Sequence, residues 1–182
     1  MTDFPLASQT LGPTGMIGTS CEGSMWLDTF LAMNFVGGSV SAWPAVNQAI
    51  YVPVVVSQFI TVYQMTTQVG VSAAGNFDVG IYDLGGNRLV SSAPTPIGAA
   101  GVQVFNIADT ELDPGNYFIA AWCSTITTAT FLRGSMTAGL DRVNGVQIQT
   151  SLTTGLPLTA TFANPTSSYV PMIMASFMQA VI

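Results

Sequence analysis

Phe77-Asp-Val-Gly-Ile-Tyr-Asp-Leu-Gly-Gly-Asn-Arg-Leu-Val90 reads as a β-hairpin from end to end. Phe77, Val79 and Ile81 alternate with Asp78, Gly80 and Tyr82, the period of a strand with one apolar face. Asp83-Leu-Gly-Gly-Asn87 supplies residues that tolerate positive φ, and Arg88-Leu-Val90 returns.

The pattern extends in both directions. Upstream, residues 50–56 are rich in Val, Ile and Tyr, and Pro53 implies an edge or a bulge there. Residues 59–65 alternate, which predicts Phe59, Thr61, Tyr63 and Met65 on one face and Ile60, Val62 and Gln64 on the other. Downstream, residues 102–107 form a strand, and Leu112-Asp-Pro-Gly-Asn116 a turn. Residues 117–123 read as a fully buried strand. Residues 128–132 and 169–178 complete about eight. Residues 139–165 read as mostly irregular, with Gly145, Gly155, Pro157 and Pro165 as breakers. Short strands separated by turn signals predict an all-β fold, an antiparallel β-sandwich of jelly-roll type.

The first 45 residues read differently. Residues 1–24 are Gly/Pro-rich and predict an extended N-terminal arm. Residues 25–36 read as a first strand rather than a short helix. Residues 37–46 form a loop that presents Trp43 and Pro44. The expected organisation is an arm with first strand and loop over 1–45, and one sandwich domain over 46–182.

Composition limits the chemistry. The 182 residues contain no histidine, and the three cationic side chains are Arg88, Arg133 and Arg142. No imidazole is available as base or metal ligand, and no amine for a Schiff base. The expected chain is therefore not an enzyme and carries neither cofactor nor metal. A net charge of −6 without basic clusters predicts no nucleic-acid binding and no attraction to anionic membranes. Residues 49–66 and 169–182 are apolar but interrupted or short, so no membrane span is expected. The N-terminus lacks a basic start followed by an apolar core, so no signal peptide is expected either.

Charged residues make up 7% of the chain, against about 25% in an average soluble protein. So few charges predict a surface covered by neighbouring protein; the alternative is a neutral, Ser/Thr/Asn/Gln-coated domain. Cys21 and Cys123 make no disulfide framework, and both are expected reduced and buried.

Each candidate site has a plain alternative. Asp109, Glu111 and Asp113 alternate and could hold calcium; the alternative is solvated turn residues. Asp78 and Asp83 could act as a glycosidase pair, but five positions apart on one strand they point to opposite faces. Asp83 reads better as a turn residue that accepts from backbone amides. Trp26, Trp43 and Trp122 could stack on a sugar; Trp122 reads as core, which leaves Trp43 as the surface anchor. Met172, Met174 and Ser176 share one strand face.

An ordered set of motifs carries a resemblance. It comprises Asn47-Gln-Ala-Ile-Tyr-Val-Pro53, Gly75-Asn-Phe-Asp-Val-Gly-Ile-Tyr-Asp83, Gly86-Asn-Arg-Leu-Val90 and Phe105-Asn-Ile-Ala-Asp-Thr-Glu-Leu-Asp-Pro-Gly-Asn-Tyr117. Gly155-Leu-Pro-Leu-Thr-Ala-Thr-Phe162 and Tyr169-Val-Pro171 follow. Residues 45–175 so marked resemble a family of small structural proteins of tailed bacteriophages, with jelly-roll-like sandwiches of the capsid-decoration or tail-fibre type.

The resemblance implies a virion protein, assembled in the bacterial cytoplasm and bound to the major capsid protein or other virion subunits. A cement protein that bridges capsid subunits, as a homo-oligomer and specifically a trimer, is the expected function. A tail or fibre protein that binds a host glycan is the alternative. The resemblance brings no catalytic residues. The residues expected at interfaces are Phe4, Leu6, Met16 and Ile17 in the arm, Trp43 and Pro44 in the loop, and Met172 and Met174 near the C-terminus.

Overall fold

The computed structural model describes residues 18–19, 25–33, 38–71, 75–125, 129–134 and 138–179. The chain begins with β1 (Gly18–Thr19), β2 (Met25–Asp28), the single turn α1 (Thr29–Ala32) and β3 (Ser39–Ala42). The central strands are β4 (Gln48–Val56), β5 (Ile60–Val71), β6 (Asn76–Asp83), β7 (Arg88–Ser91), β8 (Thr95–Pro96), β9 (Gly101–Leu112), β10 (Gly115–Cys123) and β11 (Thr130–Gly134). Then come α2 (Ala138–Val143), β12 (Gln147–Gln149), β13 (Val170–Pro171) and β14 (Ile173–Gln179).

These strands form two antiparallel sheets packed face to face, the predicted all-β sandwich. The larger sheet runs β1-β2-β14-β5-β11-β13, with β9 also on β5 and β3 also on β11. The smaller runs β12-β4-β10-β6-β7, with β8 on β6. The chain changes sheets eight times, at β3/β4, β4/β5, β5/β6 and then at every junction from β8/β9 to β12/β13. Asp113 and Pro114 make the β9–β10 crossing in two residues, and the Tyr117 hydroxyl donates to the Asp113 carbonyl at 3.0 Å. The opening hairpin also forms: Asp83 accepts from the Asn87 backbone and side-chain amides, each at 2.8 Å.

Alternation places the core. On β4, Ile50, Val52, Val54 and Val56 face the other sheet, while Ala49 and Tyr51 face outward and are also buried. A strand buried on both faces reads as a continuous apolar run. Between the sheets, Phe77 stacks on Phe131 with centroids 4.5 Å apart. Cys123 is a free, buried thiol, and burial raises its pKa to about 11.

Two expectations change, on Met65 and on residues 25–36, and the expectation for Pro53 holds. Met65 shares the inner face with Ile60 and Val62, not the outer face. Against β14, Val62 and Gln64 oppose the consecutive residues Phe177 and Ser176, so Tyr63 is one residue extra and the facing of everything beyond it reverses. Residues 25–36 are part strand and part helical turn. The buried Thr29 hydroxyl donates to Pro171 O at 2.7 Å and accepts from Ile173 N at 3.0 Å. It thus spans the break between β13 and β14 and ends β2 there. Pro53 lies on a strand with neighbours on both sides, but β12 pairs only with Ala49–Tyr51. Pro53 is past that contact, so β4 is locally an edge as the proline requires.

The boundary at residue 45 runs through paired structure, since β2 pairs β14 and β3 pairs β11. The arm residues 1–17 and 20–24 lie outside the described residues, and with them Phe4, Leu6, Met16, Ile17 and Cys21.

Candidate interaction surfaces

The two sheets treat their outer faces in opposite ways. The smaller sheet is covered by the chain itself. Residues 150–165, with no ladder of their own, cross it as a strap. Beneath lie Tyr51, Tyr82, Phe118 and Trp122, and the strap's own Leu156 and Phe162 pack against them. Side chains rising from the sheet hold the strap by its backbone. Trp122 Nε1 donates to Leu152 O at 2.8 Å, and the Tyr82 hydroxyl to Pro157 O at 2.5 Å. Arg88 donates to Leu156 O at 2.5 Å, and Asp78 accepts from Leu156 N at 3.0 Å.

Asp78 is 0% exposed. Burial raises its carboxyl pKa, while the amide of Leu156, the hydroxyl of Ser92 and the charge of Arg88 oppose the rise. Gly155 sits at φ +98°, and a Cβ there would lie 2.6 Å from Pro94 Cγ and 2.9 Å from Asp78 Oδ2. The left-handed backbone and these two close approaches account for the glycine. Asp78 and Asp83 do not converge: Asp78 anchors the strap, Asp83 caps the hairpin. Hydrogen bonds from Asn87 hold the Asp83 carboxyl below the ordinary range.

Each of the three arginines donates to a backbone carbonyl of the strap or of the residues just after it. Besides Arg88, Arg133 donates to Ser168 O at 3.1 Å with its guanidinium 5.3 Å from the Tyr169 ring centre. Arg142 donates to Pro165 O at 3.4 Å.

The larger sheet carries no such strap among the described residues. Its outer face is read from the registers. Met174 lies beside Thr66, and Thr66 beside Val104. Ser176 lies beside Gln64, and Gln64 beside Asn106; Gln64 donates to Asn106 at 3.1 Å. Gln68 lies beside Val102. The residues of these rows on β5, β9 and β14 are uncharged. On β2 the first row continues to Asp28, beside Met174 and buried, and Glu111, beside Thr61, stands at the margin. Val102 is 66% exposed, Val104 50% and Met178 54%.

Met172 and Met174 are half-buried, on the same side of the chain as Ser176, opposite Ile173, Ala175 and Phe177 in the core. Pro44 is half-buried. Trp43 is a correction: it is 2% exposed and belongs to the core. Its ring sits edge-on to Phe77, Phe131 and Tyr169 at 5.5, 5.7 and 5.2 Å, and its Nε1 donates to Gln48 O at 2.9 Å. The loop turns inward through Asn47 at φ 56°, so a residue outside any strand still reaches the core. Trp122 is buried as expected, under the strap. Asp109, Glu111 and Asp113 are exposed along the end of β9 and at the turn.

The sequence reading missed Val102 and Val104. A signal was present: in Val102-Gln-Val-Phe-Asn-Ile107 the apolar residues switch from even to odd positions, which marks two apolar faces. No protein-family model matches this chain, and no curated protein matches it.

Proposed function

We propose that this chain is a non-enzymatic structural subunit of a tailed-phage virion, most specifically a capsid-decoration protein. The observation that carries the reading is the contrast between the two outer faces. One sheet is sealed by the chain's own strap, and the other presents an uncharged field of Thr, Gln, Asn, Ser, Met and Val. A neutral face with exposed aliphatic side chains suits docking on another protein, where charge is depleted at the centre and methionine enriched. The sequence resemblance supports the virion setting.

On this reading the large sheet rests on neighbouring shell subunits and bridges them. Homo-oligomerisation, with a trimer as the form expected on a shell, belongs to the same proposal. The exposed large hydrophobic side chains of the described residues are Val, Leu and Met. These suit protein packing better than the stacking of sugar rings that a glycan-binding fibre would use.

Immunogold labelling of purified virions, or a density map, tests the proposal. Label distributed over the head is expected. Label confined to the tail tip, or absent from particles, overturns the decoration role.

A further inference from the structure

One margin of the larger sheet is β9. β9 pairs with β5 and with no other strand of the described residues. No backbone–backbone hydrogen bond outside that ladder involves residues 101–112 among the described residues, and in the second half the Thr110 hydroxyl donates to the Ala108 carbonyl at 2.8 Å. Alternate N–H and C=O groups of twelve residues therefore point away from β5. Proteins blunt such edges with charges and bulges, because an open edge is a template for another strand. β9 is blunted over its second half only. Asp109 and Glu111 stand there, and the register shift falls between Asn106 and Thr110. Its first half, Gly101-Val-Gln-Val-Phe-Asn106, has neither charge nor bulge and carries the exposed Val102 and Val104.

We propose that the first half of β9 pairs antiparallel with the same segment of a second copy of this chain, joining two large sheets across a two-fold axis. Charge selects the occupant's direction. In a parallel, in-register pair, Asp109 and Glu111 would stand about 4.8 Å from their counterparts, like charge on like charge. In an antiparallel pair centred on Gln103 they point off opposite ends. Asp109 of one copy is then roughly 40 Å from Asp109 of the other, at about 3.4 Å per residue, far beyond the ~8 Å screening length at physiological salt.

The same register sets Val102 of each copy opposite Val104 of the other on the outer face. Two apolar cross-strand pairs thereby cover two exposed valines on each copy. Phe105 remains in the core of its own copy. Gln103 keeps its bonds to Gly98 N and Pro96 O, both 3.0 Å. A two-fold contact cannot close a trimer, so it makes a free dimer or links one trimer to the next. It widens the neutral docking face and goes beyond the proposed virion role, since it holds wherever the protein works.

Sedimentation of the purified full chain, with Val104→Lys and Val104→Glu variants, tests this. The wild-type chain is expected to self-associate through a two-fold contact. Each variant alone places like charges across the axis and should weaken that contact by roughly tenfold or more, about 1.4 kcal/mol, with an unchanged thermal melt because the site is exposed. Mixing the two variants should restore the contact. A wild-type chain that is monomeric at its highest soluble concentration overturns the proposal. So does self-association that both variants retain. If Val104→Lys is unstable, Val102→Lys replaces it, and if Val104→Glu is unstable, Val102→Glu does, with the same expected loss and the same rescue on mixing.

Discussion

At the scale of single residues, burial rather than sequence neighbourhood decides roles. Trp43 stands in a loop between β3 and β4, yet three aromatic rings and a backbone carbonyl enclose it. Trp43→Ala should destabilise the isolated domain by about 3–5 kcal/mol, the cost of emptying a large core site, and a denaturant melt measures it. A loss below about 1 kcal/mol would return the ring to the surface. Asp78 carries the opposite lesson. Its native carboxyl pKa lies above the ordinary value of 3.8 because burial disfavours the charge. A group so shifted stabilises the fold most below its unfolded pKa, and that contribution is lost as pH rises through the native pKa. Asp78→Asn retains an oxygen for Leu156 N and an amide for Ser92, without the charge. The stability of Asp78→Asn relative to wild type should therefore improve as pH rises from about 4, where an ordinary aspartate ionises. Asp78→Ala differs: it leaves a buried amide unpaired at about 1–3 kcal/mol. Melts across pH separate these outcomes, and a pH-independent difference for Asp78→Asn contradicts the burial cost.

At the scale of elements, the sequence was legible where alternation and turn chemistry agree. The Phe77–Val90 hairpin, the Asp-Pro-Gly turn and the buried β10 all form where the pattern puts them. Legibility failed where one residue changes the phase. The irregularity between Val62 and Gln64 moves Met65 into the core, and no period-two count can register an inserted residue. It failed also where a distant partner shapes a short segment. Thr29 ends β2 because Pro171 and Ile173, more than 140 positions away, offer it two bonds. The strap is the extreme case. Residues 150–165 look like loop and are loop, with isolated β-bridges at Thr159 and Ala163 in place of a ladder. Nothing local shows that they lie on Tyr51, Tyr82 and Trp122. A glycine at 155 was visible as a breaker; that it makes room for Asp78 is a fact of tertiary contact. The candidate surface was half legible. Met174 and Ser176 were placed on one face from alternation alone, but their neighbours Thr66, Val104, Gln64 and Asn106 follow from registers the sequence does not print.

At the scale of the whole molecule, the charge inventory decides how copies or partners are held. Three arginines face nine carboxylates in the sequence. The guanidiniums of Arg88, Arg133 and Arg142 are turned to the carbonyls of Leu156, Ser168 and Pro165. Cations are thus committed to holding the chain's own 156–168 segment, and the protein meets its surroundings with a net charge of −6. Between copies that net charge is repulsive, and salt screens repulsion as well as attraction. Attraction must then come from apolar burial and neutral hydrogen bonding, such as the Val, Met, Thr and Gln rows provide. Exposed ion pairs would in any case add only about 0–1 kcal/mol each. Self-association should therefore hold or strengthen as sodium chloride rises toward about 1 M, where the screening length falls to ~3 Å. It should weaken in urea below the unfolding transition, because urea solvates apolar and peptide groups alike. Sedimentation at rising salt and at rising urea distinguishes the two regimes. Dissociation by salt alone, with the fold intact, would mean that carboxylates or arginines carry the contact instead.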